Sequence, residues 1–170
     1  MGEGPFRLTR PHGDPYRRDE DVRSISIGYI ALECLILILA PVEQNLMEVR
    51  VSVPQQIVGT ALLILGLGIV LASFVALGRN FRIFAAPRRS GTLITRGIYR
   101  RVRHPMYTGA VVLFAGYILL WGSLWSVPLW LAFAALYVLK VIKEEAILVE
   151  RFPQYREYSS RTWKFVPYLW

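Results

Sequence analysis

Ile57-Val-Gly-Thr-Ala-Leu-Leu-Ile-Leu-Gly-Leu-Gly-Ile-Val-Leu-Ala-Ser-Phe-Val-Ala-Leu77 carries no charged side chain. A run of about 20 apolar residues has the length a helix needs to cross the hydrocarbon core of a bilayer. Lipid offers the backbone no hydrogen-bond partners, so such a run has to satisfy itself as a helix. Gly59, Gly66 and Gly68 within it would let a second helix approach closely. Outward from this stretch, the apolar runs 25–42, 106–121 and 125–142 predict three further spans. Only Gly122-Ser123-Leu124 separates the last two, which predicts a helical hairpin. The expected fold class is all-α, a polytopic integral membrane protein of about four transmembrane helices with a C-terminal amphipathic, interfacial helix.

The whole chain agrees with this. Of 170 residues, 54% are hydrophobic and only 19% are charged, and the charges are bunched. At this length one membrane domain over 1–170 is the default. It divides into a polar arm (1–24), two spans (25–77), a basic loop (78–104), the hairpin (105–142) and a C-terminal segment (143–170). The formal net charge is +8. The loop between spans two and three holds Arg79, Arg82, Arg88, Arg89, Arg96, Arg100, Arg101 and Arg103, whereas the loop between spans one and two holds only Arg50. By the positive-inside rule both ends of the chain and the basic loop are cytoplasmic. The same charge suits contact with anionic membrane lipids. With no soluble domain to carry it, nucleic acid is not an expected partner.

The first residues are polar, of mixed charge and broken by Pro5, Pro11 and Pro15, unlike a secretory signal. Cys34 is the single cysteine, so no internal disulfide exists. His12 and His104, the two histidines, do not have the spacing of a metal site.

Two polar clusters stand against this apolar background. The first is Arg103-His-Pro-Met-Tyr-Thr-Gly109, at the mouth of the third span. Pro105 fits the first turn of a helix, where a missing N–H costs nothing, and places His104 at that helix's edge. The second follows the fourth span and holds Glu144, Glu145, Tyr155, Tyr158 and Arg161. Helical spacing puts Glu145 on a face with Val141, Ile142, Leu148, Val149 and Phe152. Glu144 lies about 100° away from it. Glu145 is therefore the better candidate for an inward carboxylate, and Glu144 is expected to pair with Lys140 or Arg151. A hairpin returns both clusters to one side of the membrane, which predicts a composite site. Tyr155 and Arg161 could cover it as a lid. Glu33, an acid inside the first span, is expected to be hydrogen-bonded within the bundle.

Together these stretches resemble the isoprenylcysteine carboxyl methyltransferase family and its prokaryotic relatives. The resemblance rests on Leu-Gly-Arg-Asn-Phe at 77–81, Leu-Ile-Thr-Arg-Gly-Ile-Tyr at 93–99 and the 103–109 motif. It continues with Glu144-Glu145, Phe-Pro-Gln-Tyr-Arg-Glu-Tyr at 152–158, Arg161 and Val166-Pro167. It implies a membrane methyltransferase that uses S-adenosylmethionine, held under the C-terminal segment at the cytosolic face. It also implies a lipophilic or prenylated substrate that enters from the bilayer. By position it makes Arg103, Glu145 and Arg161 catalytic candidates, and His104, Tyr107, Glu144, Glu145 and Tyr155 cofactor-binding candidates. An isoprenylcysteine-type carboxylate is the first acceptor it suggests. A small thiol, a phospholipid amine, a non-enzymatic lipid-binding role and an NADPH reductase stay open.

Overall fold

The computed structural model describes residues 15–78 and 92–167, with side chains from Glu20 onward. Arg79, Arg82, Arg88 and Arg89 of the basic loop, and the arm 1–14, lie outside the described residues. Helix α1 runs Pro15–Met47, α2 Val53–Leu77, α3 Pro105–Trp121, α4 Ser126–Arg151 and the short α5 Tyr155–Ser160, with a 3-10 turn at Gly97–Arg100. Among the described residues the regular structure is helical, as the apolar runs predict.

The helix ends follow local chemistry. Ser52 caps α2 by accepting from the Gln55 N–H at 3.4 Å, and Pro54 takes its first turn. Pro105 opens α3, and Gly122, at φ 64°, closes it in the left-handed conformation that favours glycine. Among the described residues, three helices are long and apolar enough to cross a membrane: α1 from Glu20, α2 and α4. The third expected span is the shorter α3, with 17 residues, or about 25 Å of rise. The Gly122 turn and the Pro105 start fix its two ends.

Two expectations at the chain's flanks are corrected. The arm drawn over 1–24 gives way to helix from Pro15, and its last turns dock on α4. Val22 is fully buried beside Ile147, and Asp21 accepts from Lys143 Nζ at 2.6 Å. Beyond Pro153 the expected interfacial helix shrinks to the six residues of α5. The chain then runs as a strap of turns and bends. Trp163 N–H donates to Arg101 O at 2.9 Å, Arg103 N–H to Trp163 O at 2.8 Å and His104 N–H to Lys164 O at 3.0 Å. A parallel bridge joins Val102 and Trp163. Backbone pairing with 101–104 satisfies groups that a surface helix would have satisfied internally.

Pairing is nested, with α2 against α3 and α1 against α4. Glycines set the first contact. A Cβ on Gly66 would lie 2.3 Å from Leu113 N, and one on Gly116 would lie 2.5 Å from Leu63 N. Gly59 and Gly109 are similarly close to the facing helix. Gly68 meets nothing within 4 Å, so it does not serve the close approach expected of it. At the second contact Tyr29 and Ile36 of α1 are buried with Phe133 and Tyr137 of α4, and Phe114 and Ile118 of α3 join them.

At the end of the bundle away from the strap, Glu43 is 4% exposed. It accepts from Ser123 Oγ, from Leu124 N at 3.1 Å and from Trp125 N at 3.0 Å. One carboxylate of α1 thus satisfies the turn between α3 and α4.

Candidate functional site

The start of α3, the last turns of α4, α5 and the strap meet at one end of the bundle. Glu145 sits at their junction. Its Oε1 accepts from Arg103 Nε at 2.8 Å, from His104 Nε2 at 3.2 Å and from the Tyr155 hydroxyl at 3.2 Å. Its Oε2 lies 3.4 Å from Lys164 Nζ. Arg103 also donates through Nη1 to the carbonyls of Ser159, at 2.6 Å, and Thr162. The guanidinium therefore ties α4 to the tail with one planar fork, which an ammonium would not reproduce. Thr108 Oγ1 adds a bond to Phe165 O at 2.9 Å.

Glu144 faces inward as well, one step around the helix. It accepts from the Tyr107 hydroxyl at 2.9 Å and lies 3.6 Å from Lys140 Nζ. The expected pairing with Lys140 is present. The face drawn through Val141, Ile142 and Glu145 needs correction: Ile142 is 53% exposed, whereas Ile147 is buried. The helix is rotated so that both carboxylates share the interior boundary. His104 and Tyr107 stack with ring centroids 5.8 Å apart, and Tyr107 stacks on Tyr137 at 4.7 Å.

A second polar string runs down from Glu144 into the bundle. Lys140 donates to the Tyr29 hydroxyl at 3.2 Å and lies over the Tyr29 and Tyr107 rings. The Tyr137 hydroxyl donates to Glu33 at 2.6 Å, which is the bundle hydrogen bond expected for that acid. Lys140 is 2% exposed, and sequence reasoning gave it no role beyond pairing with Glu144. The signal was available, because a lysine inside an apolar span is as costly as the glutamate singled out in α1.

The structure thus brings together Arg103, His104, Tyr107, Glu144, Glu145 and Tyr155. It does not bring Arg161. That side chain is 76% exposed and pairs with Glu157 one turn back at 2.9 Å. α5 ends at Ser160, and the strap turns the backbone toward 101–104 while the Arg161 side chain faces outward. Lys164 takes the place over Glu145 that Arg161 was expected to fill.

The tail phenols are held as donors. Burial pushes Tyr158 up to about 12, with the Arg103 charge opposing and the Glu145 charge adding. Burial and then Glu145 raise Tyr155 further. Tyr158 donates to Tyr99 O at 2.6 Å. A raised folded value favours the protonated phenol, so this contribution to stability is complete below the ordinary phenol value of 10.0 and is lost as pH climbs through about 12. Spectrophotometric titration in detergent should therefore show these phenols ionising only as the protein loses thermal stability above pH 10. Ionisation at the ordinary value, with the fold intact, would contradict the buried tail.

Residues 54–155 match the phospholipid methyltransferase family. The cobalt-zinc-cadmium resistance protein CzcN of Cupriavidus metallidurans is 34% identical over 109 residues, covering 63% of this chain and 50% of that protein. The nickel-cobalt-cadmium resistance protein NccN of Alcaligenes xylosoxydans xylosoxydans is 34% identical over 118 residues, covering 66% and 53%. The chain spans about half the length of these curated relatives.

Proposed function

This chain belongs to the phospholipid methyltransferase family, within the isoprenylcysteine carboxyl methyltransferase group of integral-membrane methyltransferases, and on that premise we propose that it methylates a lipid-borne amine using S-adenosylmethionine. The observation that carries the proposal is the cluster of two inward carboxylates and stacked aromatic rings at the junction of α3, α4 and the strap. Such a donor set fits a cofactor that carries a sulfonium and an ammonium. When bound, the cofactor supplies the methyl group as a sulfonium substituent. Glu144, with Tyr107 beside it, would hold cationic charge. Lys140 lies 3.6 Å from Glu144 and holds it in place. Glu145, with its donors, holds the tail over the junction and keeps water out.

An ammonium acceptor has to lose a proton before its nitrogen can attack, and Glu144 is the carboxylate suited to take it. With the cofactor bound, Glu144 and Tyr107 would hold the amine beside it, and the protein's part in the transfer would be mainly positioning and electrostatics. A prenylcysteine carboxylate is less well served. Arg103 is committed to Glu145 and two tail carbonyls, and Arg161 faces outward. The site end is read as cytosolic from the arginine distribution.

The test is a titration of purified protein in detergent with S-adenosylmethionine and its demethylated product. Labelled transfer to phosphatidylethanolamine, a prenylcysteine and a small thiol follows. Saturable binding with transfer to the amine lipid is expected, and no binding at millimolar cofactor would sink the proposal. In the same assay Arg103→Lys should lower the rate at least about tenfold, the size of one charge-assisted hydrogen bond. Arg161→Lys should stay within about twofold, as a surface pair contributes little.

A further inference from the structure

An opening lies beside the strap, lined by neither Glu144 nor Glu145. It is a cavity of about 650 Å³ between α2, the 3-10 turn, the start of α3 and the tail, within the range of about 300–1,000 Å³ usual for small-ligand sites. Ile69, Pro105 and Phe165 line it, Val166 forms part of its wall, and Arg100 and Arg101 contribute its charge. Ile69 lies two turns inside α2, about 12 Å along the helix from Leu77. Arg100 and Arg101 belong to the polar segment before α3 and are exposed. The cavity is therefore apolar where the chain is in the span and cationic where it leaves it. A phospholipid has the same order of polarity in its leaflet.

Charge decides the occupant. Among the described residues no acidic side chain lines the cavity, and no carboxylate pairs with Arg100 or Arg101. A ligand bearing a sulfonium and an ammonium would have only its single carboxylate to set against two guanidinium charges. A phosphate meets two forks of matching geometry. We propose that the cavity binds an anionic membrane phospholipid, with its phosphate at Arg100 and Arg101 and the head of an acyl chain over Ile69, Pro105 and Phe165. This lipid site is separate from the carboxylate cluster and does not depend on which molecule accepts the methyl group. Basic pockets beside membrane helices hold acidic lipids by this combination of apolar wall and paired cations.

The test uses full-length protein, delipidated in detergent, with bound lipid read by native mass spectrometry. Phosphatidylglycerol should be retained at least tenfold better than phosphatidylcholine. Arg100→Gln with Arg101→Gln should abolish that preference, while Val166→Trp, which fills the wall, should weaken both lipids. Arg156→Gln with Arg161→Gln, two exposed arginines away from the cavity, should change neither. The first two variants act on opposite parts of the site, so either decides if the other fails to fold. A preference that survives loss of Arg100 and Arg101, or falls equally in the control, would leave only general surface charge. Displacement of the lipid by equimolar glycerol 3-phosphate would show that the apolar wall is unused. Displacement by S-adenosylmethionine would give the cavity to the cofactor. Each of these four results overturns the proposal.

Discussion

Glu145→Ala is expected to detach the strap and lower methyl transfer at least about 100-fold, or about 2.7 kcal/mol of barrier. Four donors converge on this carboxylate, and two of them are cations with little exposure. Arg103 is 11% and Lys164 16% exposed. Removing one partner of a buried pair leaves charge without compensation and costs about 3–5 kcal/mol. Melting in detergent should drop, and limited proteolysis should open within 161–167. Glu145→Gln, which keeps an acceptor but not the charge, should fall between the two. A Glu145→Ala protein with an uncut tail and a normal rate would mean that backbone pairing to 101–104 suffices.

Gly66→Ala and Gly116→Ala are expected to be the most damaging substitutions within the membrane. Each new methyl would stand less than 2.7 Å from backbone of the facing helix, where no side chain can move aside. α2 and α3 would have to separate along their length, with a loss of about 3 kcal/mol or more. Separation also shifts the start of α3, so activity should fall with stability. Gly68→Ala is the internal control. It meets nothing within 4 Å, and alanine favours a helix over glycine by about 0.5–1 kcal/mol. Equal melting of all three variants would refute the glycine contact.

The helices were legible because hydropathy depends on each residue and its neighbours in sequence. The 57–77 and 125–142 runs needed no tertiary information. Arg103, His104 and Glu145 were legible as a set because a hairpin with a short turn returns its ends to one side. The strap was not, since its bonds join 101–104 to 163–164 and nothing local in Thr162-Trp-Lys-Phe165 marks that pairing. Arg161 misled because a charge near a site was read without the direction of its helix turn. Glu43 escaped notice for a similar reason. Its partners lie about 80 residues away.

The nested pairing of α1 with α4 around the α2–α3 contact sets an order of biosynthesis. Helices two and three can associate as soon as both have left the ribosome. The first helix cannot settle so early, because Glu33 and Glu43 find their donors at Tyr137 and at 123–125. Until then it holds two acids with no partner, a costly state in or at the edge of a bilayer. α4 must therefore capture the first helix. A nascent chain halted after Trp121 should hold its glycine-lined pair while its first helix stays extractable from the membrane, and translation of α4 should end that exposure.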